Sequence, residues 1–253
     1  MPSGLISVRL LSYNIRHCRG MDGRVSPERV AEVISACEVD LVALQEVDVG
    51  RGRTGGLDQA ETIARRLGMD HHFQPALHLG EERYGDAILT RLPSRLIQAG
   101  ILPGLANRPG LEPRGALWVE VTANRQTLQV FNTHLGLSAR ERMAQAQALL
   151  GPDWTGSPAC ASPFVLMGDF NAIPQSAAYR RLAAHLADAR RIAGRRSGSA
   201  TFPSRWPLLR IDHVFVGPGM RVRRMEVVRT GLARRASDHL PLLVELEIAP
   251  PSV

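Results

Sequence analysis

Lysine is absent from this 253-residue chain, and all 31 of its basic residues are arginine. A bias so complete reflects a G+C-rich coding sequence rather than a need for guanidinium at each position, so the net charge of +7 is the more informative quantity. Cysteine is scarce, and Cys18, Cys37 and Cys160 are odd in number and far apart. That excludes a disulfide framework and a cysteine zinc site, leaving reduced thiols. Aromatic residues make up only 5% of the chain, too few for an extended platform on which successive bases would stack. No apolar run approaches the roughly 18 residues that span a bilayer. The N-terminus lacks a basic segment followed by an apolar one, so the reading is a cytoplasmic protein. There are no repeats and no linker, and residues 1–253 read as a single domain.

What is present is 44% hydrophobic, enough for a substantial core. The positive charge favours an anionic partner, namely a nucleic acid, a phosphate ester or an acidic membrane surface. Arg190-Arg191 with Arg195-Arg196 forms the densest basic cluster; it reads as a solvated surface segment, with a phosphate-contacting loop as the alternative. Patterning places strands near Val8 to Arg16, Leu41 to Glu46, His71 to Leu77, Asp86 to Thr90, Leu96 to Leu102 and Ala116 to Val121. More follow at Leu128 to His134, Phe164 to Asp169, Ile211 to Val216, Val222 to Val228 and Leu242 to Ile248. Ser26-Pro27 opens a helix to Ala36, and Ser138-Ala139-Arg140-Glu141 reads as a capping box opening a helix to about Leu150. Two further helices are expected near Gln59 to Leu67 and Ser176 to Leu186. The strands on either side of Asn124-Arg125 suit a hairpin, and helices separate others. Two mixed sheets packed together, with helices outside, would bury this many apolar strands.

Several of these strands end in polar side chains. The run Val165-Leu166-Met167-Gly168-Asp169-Phe170-Asn171 closes on a carboxylate and a carboxamide two positions apart, which in a continuing strand would share a face. A strand followed by an Asx turn accounts for the same residues. Four further signatures accompany it: Ser12-Tyr13-Asn14-Ile15, Leu44-Gln45-Glu46-Val47, Asn132-Thr133-His134-Leu135, and the pair Arg210-Ile211-Asp212-His213 with Ser237-Asp238-His239.

In this order, from about Leu10 to Leu246, the set resembles the endonuclease/exonuclease/phosphatase superfamily. That group includes DNase I, abasic-site endonucleases, inositol polyphosphate 5-phosphatases, neutral sphingomyelinases and deadenylases. The resemblance implies a DNase I-like α/β fold, a four-layer α/β/β/α sandwich of two packed mixed β-sheets with the site at one end of both. It also implies a Mg²⁺ cofactor, with Mn²⁺ as a substitute. Glu46 is then the principal metal ligand, Asn14 a residue that helps hold the metal or a phosphate oxygen, and Asp238 a further metal contact. His239 is the implied general base and Asp212 the carboxylate that fixes its tautomer. Asp169 shares acid and base work, Asn171 donates to the phosphoryl group, and His134 contacts phosphate or acts as an acid. The Thr-His-Leu pattern differs from the Tyr-x-Pro-Asn-like one of abasic-site endonucleases and argues against dedicated abasic-site repair.

Arg114 is a candidate substrate-binding guanidinium, with a surface ion pair as its alternative. Asp86 stands where the family usually has Asn in Gly-Asn-Ala-Ile-Leu-Ser. Asp48, Arg51, Arg53 and Asp58 read as solvated loop. The resulting expectation is a Mg²⁺-dependent phosphodiesterase acting on nucleic acid or a phospholipid head group, with no protein partner. A phosphomonoesterase of a sugar or inositol phosphate is the second reading, and a noncatalytic phosphate-binding module the third.

Overall fold

A computed structural model describes residues 5–160, 163–194 and 200–248. Twelve strands are described: β1 (Ile6–Asn14), β2 (Leu41–Val49), β3 (Asp70–Leu79), β4 (Glu82–Thr90), β5 (Ser94–Ile101), β6 (Gly115–Ala123), β7 (Gln126–His134), β8 (Phe164–Asp169), β9 (Ala187–Asp188), β10 (Asp212–Val216), β11 (Met220–Val227) and β12 (Leu242–Ile248). The helices are α1 (Pro27–Ser35), α2 (Gln59–Leu67), α3 (Ala139–Leu149), α4 (Ala177–Ala183), α5 (Ala189–Ile192) and α6 (Gly231–Ala236).

The strands form two six-stranded sheets, ordered β11-β12-β1-β2-β4-β3 and β5-β6-β7-β8-β10-β9. Both are mixed: β1 with β2 and β7 with β8 run parallel, and the remaining pairs are antiparallel. Side-chain alternation builds the layers. Along the second sheet Leu117, Val119, Val130, Val165, Met167 and Val214 join a core that also holds Leu10, Leu44 and Ile88 of the first sheet. Their neighbours Trp118, Phe131, Leu166 and Phe215 point the other way and pack with Ala146, Leu149, Ala178 and Leu182 of α3 and α4. Helices α1, α2 and α6 contribute Val30, Ile34, Ile63 and Ala233 to the larger core. The four-layer DNase I-like sandwich expected from the sequence is the observed fold.

Local chemistry explains several boundaries. The Ser26 hydroxyl accepts from Arg29 N at 3.2 Å with Pro27 in the first turn of α1, and Asp58 caps α2 by accepting from Glu61 N at 2.9 Å. Asn124 and Arg125 both take left-handed backbone, the geometry a two-residue turn between β6 and β7 requires. One expectation is corrected. Ser138 makes no side-chain cap to α3, and Glu141 is buried rather than reaching back as a capping-box partner. Short β9, α5 and α6 carry too few periodic residues to stand out in the sequence.

Register sets the position of the site. Asn14 ends β1 opposite Gln45 of parallel β2; His134 ends β7 opposite Asp169, which ends parallel β8; and Asp212, which begins antiparallel β10, also faces Asp169. The polar ends of both sheets thus meet on one edge of the sandwich.

Candidate active site

Asn14 joins the two sheets at this edge. Its amide nitrogen donates to Glu46 Oε1 and to Asp169 Oδ2, both at 3.0 Å, while its Oδ1 accepts from Arg16 N at 3.0 Å. A backbone N–H can only donate, so this last bond fixes the amide orientation. Asn14 therefore presents its nitrogen to the two carboxylates and its oxygen away from them. Asn132 adds a second tie between the sheets, donating to Leu44 O and Ala87 O and accepting from Gln45 Nε2 at 2.8 Å.

Glu46 does not terminate its strand as the sequence suggests. It sits within β2 at a break in register with β4 and has φ 59°, left-handed for a non-glycine residue. The irregularity lets it depart from the alternation of the pleat and face Asn14. Burial works against its charge, but His17, His134, Asn14 and His239 outweigh burial and hold the carboxyl well below the usual range. His17 itself has φ 42° and places Nδ1 3.8 Å from Glu46 Oε2. Sequence reading passed over His17 because it lies beyond the strand, in a segment without pattern.

Asp169 Oδ1 accepts from Asn171 N at 2.9 Å. This is the local turn that the Asx reading anticipates. The expected shared strand face does not form. The strand stops at Asp169 and Asn171 lies beyond it with φ 47°, from where its amide donates to Leu135 O at 2.9 Å and lies 3.0 Å from His134 Nε2. Gly168 has φ 151° and a side chain there would collide with the Thr133 carbonyl, so glycine permits the close approach of β7 and β8 just before Asp169.

His239 is 5% exposed and its Nδ1 stands 2.9 Å from Asp212 Oδ2, leaving Nε2 3.6 Å from Asp169 Oδ2. Thr201 Oγ1 donates to the same Asp212 oxygen, and the Phe202 ring lies 4.9 Å from the imidazole. Thr201 and Phe202 were not legible as site residues, because they precede β10 in a loop. Burial disfavours the charged imidazole, yet Asp212 and Asp169 overcome it and raise the pKa of His239. Burial and the charge of Asp212 likewise push Asp169 upward, opposed by His239.

His134 behaves in the opposite way. Burial, together with the Arg114 guanidinium, lowers it to about 3. Arg114 Nη1 lies 3.1 Å from His134 Nδ1, and a guanidinium can only donate there, while Nε2 lies 3.0 Å from the Asn171 amide nitrogen and 3.5 Å from Asp169 Oδ2. Arg114 is itself buried and paired with Glu112 at 2.8 Å; it is neither solvent-facing nor free. Asp238 is engaged by Arg16 at 3.3 Å, not by Glu46 or Asn14 among the described contacts. Asp86 is buried, and its burial pushes the carboxyl well above the ordinary value. Asp48, read as solvated loop, is fully buried and grips Arg53 through both oxygens at 2.7 and 2.8 Å.

The donor set suits a hard divalent cation. Glu46 is held well below the usual carboxylate range, and the clustered oxygens of Asp169 and Asp212, with Asp212 Oδ1 buried and without a hydrogen-bond partner, add further hard donors, whereas His239 is taken up by its bonds to those two carboxylates.

A sequence model of the endonuclease/exonuclease/phosphatase family matches residues 11–239. The uncharacterised protein YbhP of Escherichia coli K12 is 27% identical over 261 aligned residues, covering 96% of this chain and 97% of that protein. The crystal structure of an endonuclease/exonuclease/phosphatase from Beutenbergia cavernae is 25% identical with a TM-score of 0.76, covering 96% of this chain and 72% of that one. A family protein from Bacteroides thetaiotaomicron superposes with a TM-score of 0.78 at 21% identity, covering 98% of this chain and 100% of its own. Among the described residues no helix is long and apolar enough to cross a membrane.

Proposed function

The chain belongs to the endonuclease/exonuclease/phosphatase family, hydrolases of phosphate esters, and from that premise we propose that it is a divalent-metal-dependent phosphodiesterase. The observation that carries this reading is the buried chain Asp212–His239–Asp169, with His134 on the other side of Asp169.

Asp212 orients His239 and stabilises its charged form, so that Nε2–H points toward Asp169. At rest the proton resides on His239. Attack of water on phosphorus breaks the P–O bond to the leaving alcohol: Asp169, raised by burial and Asp212, takes the water proton, and the proton held on His239 is available to the departing alkoxide. The base role suggested for His239 alone therefore passes to the pair. His134, kept neutral by burial and by Arg114, borders the space a phosphoryl oxygen would enter. Asn171, fixed beside His134 by Leu135 O, borders the same space. Glu46 would hold the cation, with Asn14 orienting its carboxylate and Asp238 as a further carboxylate on the Arg16 side. Mg²⁺, or Mn²⁺ in its place, would supply charge neutralisation on the phosphoryl oxygens when bound.

Charge favours a diester over a monoester. Glu46 and Asp169 share the Asn14 amide, and Asp169, Asp212 and Asp238 all act on His239, so four carboxylates face one charged imidazole, while Arg114 and Arg16 are already paired with Glu112 and Asp238. Such a site repels a dianionic monoester more than a monoanionic diester. The natural diester would come from nucleic acid or a phospholipid head group, for which the net charge of +7 supplies general attraction to an anion. The test is hydrolysis of bis(p-nitrophenyl) phosphate beside p-nitrophenyl phosphate, with Mg²⁺, Mn²⁺ or EDTA. Metal-dependent cleavage of the diester at a higher rate than the monoester is expected; faster monoester cleavage would overturn the diester assignment.

A further inference from the structure

On the outer flank of the second sheet lies an open cavity of about 470 Å³ lined by Pro174, Tyr179, Arg180, Ala183, Ala184, Arg191 and Arg210. Three guanidinium groups from three chain segments meet there: Arg180 from α4, Arg191 from α5 and Arg210 from the approach to β10. Among the described residues no carboxylate lines the cavity. The cluster that the sequence suggests, Arg190-Arg191 with Arg195-Arg196, is not this assembly; Arg195 and Arg196 lie outside the described residues, and only Arg191 of the four lines the cavity.

The three arginines are held differently. Arg210 is 12% exposed and fixed from behind: Nη2 stands 2.6 Å from both oxygens of fully buried Asp188, the guanidinium lies 5.8 Å from the Tyr179 ring, and buried Nε has no partner. Asp188 also accepts from Tyr179 Oη and Arg190 N, so Arg210 cannot swing away without breaking that node. Arg180 and Arg191 are exposed and have no carboxylate partner among the described residues. With Asp188 balancing Arg210, the cavity retains two uncompensated positive charges. One fixed and two exposed guanidinium groups around an open pocket with no carboxylate among its described lining suit a phosphate, which guanidinium binds through paired hydrogen bonds.

The segments that carry the site run on into this pocket. Pro174 lies three residues after Asn171, Arg210 two before Asp212, and the Tyr179 ring packs 4.8 Å from His213, whose Nε2 stands 2.7 Å from Ala172 O. We infer that the Arg180–Arg191–Arg210 cavity is a subsite for a second, non-reacting phosphate of the substrate. The inference rests on the phosphodiesterase reading and narrows its substrate to molecules carrying at least two phosphates.

Two substrates separate this from general electrostatics: thymidine 5′-(p-nitrophenyl phosphate), with one phosphate, and the same compound bearing a 3′-phosphate. The double variant Arg180→Ala/Arg191→Ala alters only exposed side chains and is expected to keep the wild-type Tm. It should cleave the one-phosphate compound within about twofold of wild type and lose roughly tenfold or more in kcat/KM, through KM, on the two-phosphate compound. A short single-stranded DNA distinguishes the source: a matching loss there assigns the second phosphate to a polynucleotide, and no loss there assigns it to a small bisphosphate. Equal behaviour of wild type and variant on both the two-phosphate compound and the DNA, or an equal loss on the one-phosphate compound, overturns the subsite. Binding of thymidine 3′,5′-bisphosphate in EDTA keeps the test separate from catalysis. Weaker binding by the variant upholds the subsite even if neither enzyme turns over, whereas turnover without a binding difference removes it and leaves the phosphodiesterase reading standing.

Discussion

Asn14 donates from one nitrogen to Glu46, 3.0 Å away on the neighbouring strand, and to Asp169, 3.0 Å away on the other sheet. The residue proposed to hold the cation and the residue proposed to take the proton are thereby placed by a single side chain. Removing it leaves half-buried Glu46 and buried Asp169 each short of a donor, at a cost of about 1–3 kcal/mol for the buried one and less for the other. Asn14→Ala is expected to lower Tm and to reduce diester turnover roughly a hundredfold. Asn14→Asp, which sets a third carboxylate between the other two, should reduce turnover further. Thermal denaturation and steady-state kinetics of the two variants check this, and wild-type turnover in either one contradicts it.

Asp86 supplies a test in pH. Its carboxyl is raised by burial first, then by Glu46 and Asp169, with Arg114 opposing. A carboxyl raised on folding binds its proton more tightly in the native state, so between the unfolded value of about 3.9 and the folded one stability falls as pH rises. The limiting slope is about 1.4 kcal/mol per pH unit. Asp86→Asn removes this dependence, since the amide is neutral throughout. The variant is expected to match wild type in stability near pH 4 and to exceed it near pH 7, measured by urea denaturation at both values. A stability difference that does not grow with pH contradicts a raised Asp86 carboxyl.

The Asp188 node should matter for stability in the reverse direction. Burial opposes its charge, but Arg210 and Tyr179 more than offset this and lower its pKa. A depressed carboxyl contributes stability that is present above about pH 4 and is lost as pH falls through the folded value. Asp188→Asn leaves Arg210 without its counter-ion and is expected to cost about 3 kcal/mol at neutral pH, with the difference from wild type shrinking in acid. Equal denaturation midpoints at pH 7 would contradict this role.

Much of this architecture was legible in the sequence. Strand β8 and helix α2 begin and end where patterning places them, and the ordered strand-end motifs identify Asn14, Glu46, His134, Asp169, Asp212 and His239, all of which the fold brings to one edge. What was not legible depends on backbone departures and on tertiary contacts. Glu46 and Asn171 reach the site through left-handed backbone, which periodicity cannot foresee in a non-glycine residue. Thr201 and Phe202 gain their places only when the loop before β10 closes on Asp212 and His239. Asp48 looks like a loop carboxylate until Arg53 and Thr54 are seen folded onto it. Glu141 shows the converse error: a motif match alone does not form a capping box when burial claims the side chain.

The central claim is that Asp212–His239–Asp169 is the acid–base centre of a phosphodiesterase. Its most direct test is turnover of bis(p-nitrophenyl) phosphate with Mg²⁺ by wild type and His239→Ala, with folding verified by circular dichroism. The account predicts metal-dependent cleavage by wild type and a loss of about 10² or more in the folded variant. A folded His239→Ala protein that retains wild-type turnover contradicts it.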